Sequence, residues 1–185
     1  MQKVIKTGFF FGILGGFFFI IFIFIAYFVS QQPFEANVKS LDFFIYLITL
    51  SVAIYWFRFK INENTMKFWT AMGVGMITIL VMVMINSFFV YVFLGNIVPN
   101  ELIKYKQKQL VIIEKIKNNL ELDSVAQKKL DKKEFEKNKN EKKEFEQIYQ
   151  GMKKVTAYDM AWYEWRTKIL LGIFMTFIIS AVLRK

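Results

Sequence analysis

The chain has 185 residues, a formal net charge of +10 and a hydrophobic fraction of 55%. Its charged residues are clustered instead of spread along the chain, which is atypical of a soluble domain of this length. It contains no cysteine and no histidine. This composition excludes disulfides, thiol nucleophiles, imidazole bases and metal sites built on Cys or His ligands. The sequence therefore predicts no enzymatic activity, no cofactor and no metal site.

Four predominantly apolar segments divide the chain. The first, 8–29, would reach about 33 Å as a helix, which exceeds the roughly 30 Å of a bilayer's hydrocarbon core. The others are 41–58, 68–95 and 168–185, where the last also holds the C-terminus. The sequence predicts an all-α integral membrane protein with four transmembrane helices, three of them within residues 1–96.

A 71-residue insertion, 97–167, separates the third and fourth segments and holds 16 of the 25 Lys and Arg and 12 of the 15 acidic residues. Its signs are interleaved, whereas a phosphate-binding face needs clustered, uncompensated basic residues. We therefore expect no nucleic-acid partner.

Basic residues flank the spans unevenly. Short loops rich in Lys and Arg stay in the cytoplasm. This predicts a cytoplasmic N-terminus, 2–3 loop and C-terminus, and an extracytoplasmic insertion. The residues concerned are Lys3, Lys6, Arg58, Lys60, Lys67, Arg184 and Lys185.

Small residues recur every four positions in the first and last spans, a pattern that permits close helix contact in membranes. We expect these faces to pack on each other or on a partner chain. The residues are Gly8, Gly12, Gly16, Gly172, Thr176 and Ser180. The spans also show no ionisable residue near mid-membrane, which argues against a pump, an ion channel or a proton-coupled carrier.

Apolar residues at coiled-coil spacing predict that the insertion folds back as an antiparallel helical hairpin whose base continues helices three and four. The predicted pairs are Leu102 with Trp162, Tyr105 with Asp159, Gln109 with Val155, Ile112 with Met152, and Ile116 with Ile148. The charged tip, 121–144, remains as one surface for recognition.

An aromatic collar precedes the fourth span and is typical of the headgroup layer. It comprises Trp162, Tyr163, Trp165 and Arg166. Two carboxylates, Asp159 and Glu164, lie beside these rings, so a site for a lipid-linked sugar is the alternative interpretation of the collar.

The four spans, the Gly-rich first helix, the long insertion and the C-terminal sequence from Gly172 to Lys185 resemble the domain of unknown function 4199 family, a group of small proteins of the bacterial inner membrane. The resemblance implies this location and a multi-pass topology, without an activity. The leading hypothesis is a non-enzymatic accessory subunit of a membrane complex. It would contact lipid and dock through its small-residue faces, either on a membrane-protein partner or on a second copy. The alternative is a component of lipid or polyprenyl-linked sugar handling.

Overall fold

The computed structural model describes residues 1–30, 33–34, 36–62, 66–126 and 132–183; within these, the side chains of 30, 36–40, 119–126 and 132–142 are left undescribed. Most of the predicted tip, 121–144, therefore lies outside the described side chains. The described residues form helices and no strand. The helices are α1 (Gln2–Ser30), α2 (Ala36–Trp56), α3 (Phe68–Val92), α4 (Pro99–Ala126), α5 (Lys132–Lys154) and α6 (Ala157–Leu183), and π-helical turns extend α2 over Phe57–Ile61 and α3 over Phe93–Ile97.

Four helical stretches are long and apolar enough to cross a membrane: Gln2–Val29, Leu41–Ile61, Phe68–Ile97 and Ala157–Leu183. The all-helical, multi-pass architecture predicted from the sequence is confirmed at this level. The fourth stretch, however, begins well before the predicted start of the last span at residue 168. That boundary was placed where the charged residues stop, but the helix continues through them.

The chain divides into two compact units. The first contains Met1–Phe93 and Met160–Lys185, and the second contains Leu94–Asp159.

Helix α3 is the centre of the first unit. A Cβ added to Gly8 would lie 2.7 Å from Cβ of Ile77, and one added to Gly12 would lie 2.6 Å from Cβ of Val81. Gly16 lies against Ile85 in the same way. Because the neighbours on α3 also recur every four residues, the glycine face of α1 and one face of α3 pack with their backbones close together.

The small-residue face of α6 also packs on α3. A Cβ on Gly172 would lie 2.5 Å from Cδ1 of Ile79, and Thr176 occupies the space beside Gly75. Ser180, one turn further on, is buried as well. The small-residue faces of α1 and α6 were expected to pack on each other or on a partner chain. The structure corrects this, because α3 covers both faces. The small and β-branched residues of α3 let the two helices approach closely.

The second unit contains α4 and α5, which run antiparallel. Nζ of Lys106 donates to the carbonyl of Lys153 at 3.3 Å, and Lys117 pairs with Glu146 at 3.1 Å. Among the described side chains of α4, Glu101 and Ile113 are buried.

The residues of the predicted apolar seam differ in their exposure. Ile112 and Ile116 are each 42% exposed, and Ile148 is 52% exposed. Leu102, Tyr105, Gln109, Met152 and Val155 are half-buried, while Asp159 and Trp162 are exposed. The predicted pairing of the seam residues therefore stays a prediction, and the buried Ile113 lies next to the predicted Ile112.

Two interruptions separate these helices from the spans. Val98 lies between the π-helical turn and α4, and Val155 and Thr156 lie between α5 and α6. The predicted continuation of helices three and four into the insertion is therefore broken at both points.

Candidate functional site

A buried ammonium lies in the first unit, within the fourth span. Nζ of Lys168 is 3.0 Å from Oδ2 of Asp42 and 3.0 Å from Oε2 of Glu164. The three residues are 8%, 6% and 5% exposed, respectively. Glu164 and Lys168 share one face of α6 because they are four residues apart. Asp42 comes from the start of the second span, so the cluster joins α2 to α6.

Aromatic and amide groups enclose this ion cluster. Nζ of Lys168 lies 4.0 Å from the ring centroid of Phe19 and 5.4 Å from that of Tyr46. Ring faces attract cations, and more strongly when water is excluded. Nδ2 of Asn86 donates to the hydroxyl of Tyr46. Helices α1, α2, α3 and α6 therefore all contribute a side chain to the cluster or to its wall.

Lys168 lies inside the fourth span, whereas Asp42 lies at the start of the second. Lys168 follows the start of α6 by eleven residues, and Asn86 precedes the end of the third span, Ile97, by the same number. At 1.5 Å per residue, both positions lie about 16 Å along their helices. A buried charge is costly unless it is paired, which explains the two carboxylates around the one ammonium.

The cluster of Lys168, Asp42 and Glu164 was not predicted from the sequence. The predicted spans place Lys168 at the start of the fourth segment and Asp42 at the second position of the second segment. The predicted absence of ionisable residues near mid-membrane stays a prediction, whereas the structure shows that these three charged side chains are buried among the helices. The available signal was the spacing of Glu164 and Lys168, which places opposite charges one helical turn apart in an apolar helix.

The aromatic collar lies on the same helix, before Lys168. The rings of Trp162 and Trp165 stack with centroids 5.0 Å apart and planes 6° apart. Trp162 and Tyr163 are 48% and 58% exposed, and Arg166 is exposed too. Exposed amphipathic rings at the start of a spanning helix fit the headgroup layer.

Asp159 lies at the start of α6. Its Oδ2 accepts hydrogen bonds from the backbone N–H of Thr156 at 2.8 Å and from the Thr156 hydroxyl at 2.6 Å, while Thr156 Oγ1 accepts the N–H of Asp159. This reciprocal pattern is a capping box at the start of α6. Asp159 therefore fixes the helix start, while Glu164 binds Lys168.

The buried cluster contains two carboxylates and one ammonium. Among the described residues, no group of three or more Asp and Glu side chains converges as a metal site would require. The ammonium fills the space between the carboxylates, and the low exposure of all three side chains keeps a solute from reaching them. The arrangement holds helices together; it offers no accessible nucleophile or base.

Four spanning helices packed around α3, with a buried ion cluster, define an integral membrane protein of the multi-pass class. The chain belongs to the family described as Protein of unknown function (DUF4199), whose model matches residues 6–185. No curated protein and no solved structure is significantly similar to it.

Proposed function

We propose that this chain is a non-enzymatic accessory subunit of a membrane protein complex, which binds its partner through the extramembrane part of the chain. The observation that supports this proposal is the pair of exposed isoleucines on α4. Ile112 and Ile116 lie one helical turn apart on the same face and are each 42% exposed. Exposed apolar stripes on an otherwise charged helix mark interaction surfaces.

The site of docking differs from the one first expected. The small-residue faces of α1 and α6 are covered by α3 within the chain, so they offer no surface to another protein. The seam predicted to close the insertion on itself leaves its isoleucines exposed instead. An amphipathic helix of a partner, or of a second copy of this chain, fits such a stripe.

The proposed location is the bacterial inner membrane, with both termini in the cytoplasm. The α4–α5 pair would then form an extracytoplasmic helical hairpin. Its support is the excess of Lys and Arg in the short loops at the opposite ends of the spans. A reporter that is active only after export, fused after Lys185, should stay inactive. The same reporter inserted in the 127–131 segment should be active.

The partner proposal is tested by photo-crosslinking from two positions on α4. A photoreactive residue at Ile112 should form a reproducible crosslink in intact membranes, whereas one at Ile103 should not. Ile103 is a matched control because it is also an isoleucine, is 52% exposed and lies nine residues away, on the opposite helix face.

Replacement of both isoleucines gives the energetic test. I112N together with I116N should weaken recovery of the crosslinked partner roughly thirtyfold, because burying the exposed part of two isoleucines contributes about 2 kcal/mol. I103N should have little effect. A monomer that forms no crosslink from Ile112 in its native membrane contradicts the proposal.

Handling of lipid-linked sugars is the alternative function. This alternative requires Asp159 and Glu164 to act together at one site. In the structure Asp159 binds Thr156, whereas Glu164 binds Lys168. The conservative variants D159N and E164Q distinguish the two functions. If the protein has a transport or catalytic role, these variants should lose the phenotype although the complex still assembles. If it is an accessory subunit, the phenotype should be lost only where assembly of the complex is lost.

A further inference from the structure

Helices α2 and α6 leave an apolar opening toward the lipid. Val52 and Tyr55 of α2 line it, together with Ile178, Val182 and Leu183 of α6, and the volume is about 370 Å³. Val52, Tyr55, Ile178 and Val182 are between 44% and 69% exposed. We call this opening the α2–α6 groove. Its volume lies within the range of roughly 300 to 1,000 Å³ that is typical of small-molecule sites.

Two polar contacts join the helices on either side of the groove. The first is the ion pair of Lys168 with Asp42, near the start of α2. The second is a hydrogen bond from Nη1 of Arg58 to the carbonyl of Leu183, at 2.9 Å. The Arg58 bond therefore joins the two helices at the Leu183 end of the groove, while the Lys168–Asp42 pair joins them about 15 Å away, ten residues before Val52 and Ile178.

The groove ends at the basic side of the membrane protein. Arg58 follows Tyr55 by three residues, and Lys60 lies on the same π-helical turn. The other ends of spans at this side carry basic residues as well, namely Lys3, Lys6 and Lys67, and Arg184 and Lys185 follow Leu183 in the sequence. Basic residues at a membrane surface attract anionic headgroups.

We propose that the α2–α6 groove is a binding site for an anionic phospholipid. One acyl chain lies in the groove against Val52 and Ile178, and the phosphate binds the Arg58 guanidinium. An acyl chain matches the apolar lining, and a phosphate matches the planar, always charged guanidinium. This site is independent of the partner surface on α4.

A transmembrane helix fits the groove less well. A helix that docks here would need an acidic side chain at the groove end to match Arg58, whereas an anionic phospholipid supplies an apolar chain and a negative charge in one molecule.

The test uses the full chain reconstituted in phosphatidylcholine vesicles that contain phosphatidylglycerol with a photoactivatable acyl chain. Peptide mapping should find the label on α2 around Val52 and on α6 around Ile178. Phosphatidylcholine carrying the same acyl chain should label these peptides far less.

Two pairs of variants separate the groove from the surrounding lipid. V52W fills the groove and should abolish the preferential labelling, whereas I48W, at a lipid-exposed position one turn earlier, should not. R58Q should reduce the preference for phosphatidylglycerol roughly tenfold, which corresponds to the loss of one charge-assisted hydrogen bond. K67Q removes a charge at the same membrane side and should preserve most of the preference.

Folding is checked by the helical circular dichroism of each variant, and R58K retains the charge if R58Q does not fold. Equal labelling by both lipids overturns the proposal, because the groove then holds only bulk lipid. A preference for phosphatidylglycerol that survives V52W also overturns it, since the headgroup alone would account for binding. Crosslinks from the groove to a second copy of the chain overturn it in favour of an oligomer contact.

Discussion

Lys168 and Asp42 are 126 positions apart in the chain, yet the ammonium nitrogen of one lies 3.0 Å from a carboxylate oxygen of the other. The contact connects the second and fourth spans, and both side chains are buried. Its energetic role differs from that of a surface ion pair, since removal of one partner leaves a charge without compensation in an apolar medium.

Replacement of Lys168 alone should therefore be severe. We expect K168M to lower the free energy of unfolding by about 3 kcal/mol or more, because Asp42 and Glu164 are left as two buried carboxylates. Titration with a denaturing detergent, followed by circular dichroism, measures this loss.

The matched control neutralises the whole cluster. D42N, E164Q and K168M combined should regain much of the stability, since no uncompensated charge remains. A triple variant that is no more stable than K168M would show that the cluster is not held by charge balance.

Gly12 gives a second test, of the contact between α1 and α3. A Cβ at this position would lie 2.9 Å from the backbone carbonyl of Thr78, which cannot move aside as a side chain can. We expect G12A to destabilise the protein by about 1 to 3 kcal/mol through overpacking.

Gly151 is the control for Gly12. A Cβ there meets no atom within 4 Å, so G151A should be neutral or stabilising by up to about 1 kcal/mol, as for a glycine in an exposed helix. Equal effects of the two replacements on detergent unfolding would contradict the tight packing of α1 on α3.

The capping box at the start of α6 predicts a local effect. T156A removes the hydroxyl that accepts the N–H of Asp159 and donates to its carboxylate, so the first turn of α6 should fray. Amide hydrogen exchange at residues 157–160 should become faster, while T156S should retain wild-type protection. Unchanged exchange in T156A would mean that other contacts hold this turn.

Glu146 gives a pH-dependent prediction for the pair of α4 and α5. Hydrogen bonds from Gln150 and Lys117 lower the pKa of this carboxyl below its usual value of 4.5. A lowered pKa in the folded state means that the contact adds stability above pH 4.5 and loses it as the pH falls through the folded value. Because Glu146 is exposed, the effect should be small and sensitive to salt.

Spin labels at residues 110 and 147 can follow this change. The distance distribution between them should broaden as the pH falls below 4.5, and E146Q should show the broad distribution at neutral pH as well. A distribution independent of both pH and this substitution would exclude the contact as a determinant of the helix pairing.

The sequence by itself determined the class of the protein. Apolar runs of 18 to 28 residues satisfy their backbone groups in a bilayer as helices, so the number of spans follows from composition. The small residues of α1 and α6 were likewise identifiable, because a period of four residues places them on one helix face. The helix that packs on those faces could not be identified from the sequence, since several helices can offer a complementary surface.

Only the tertiary structure decided how the charged and apolar side chains pair. In the sequence, Lys168 looks like the boundary of a span. The local pattern does not predict its contact with Asp42, because Asp42 belongs to a helix that is distant in the sequence. The exposure of Ile112 next to the buried Ile113 was unpredictable for a related reason: helix spacing predicts that an apolar stripe exists, while the burial of each member depends on neighbouring helices. The periodicity of apolar residues depends on one helix alone, whereas the burial of those residues depends on the helix that packs against it.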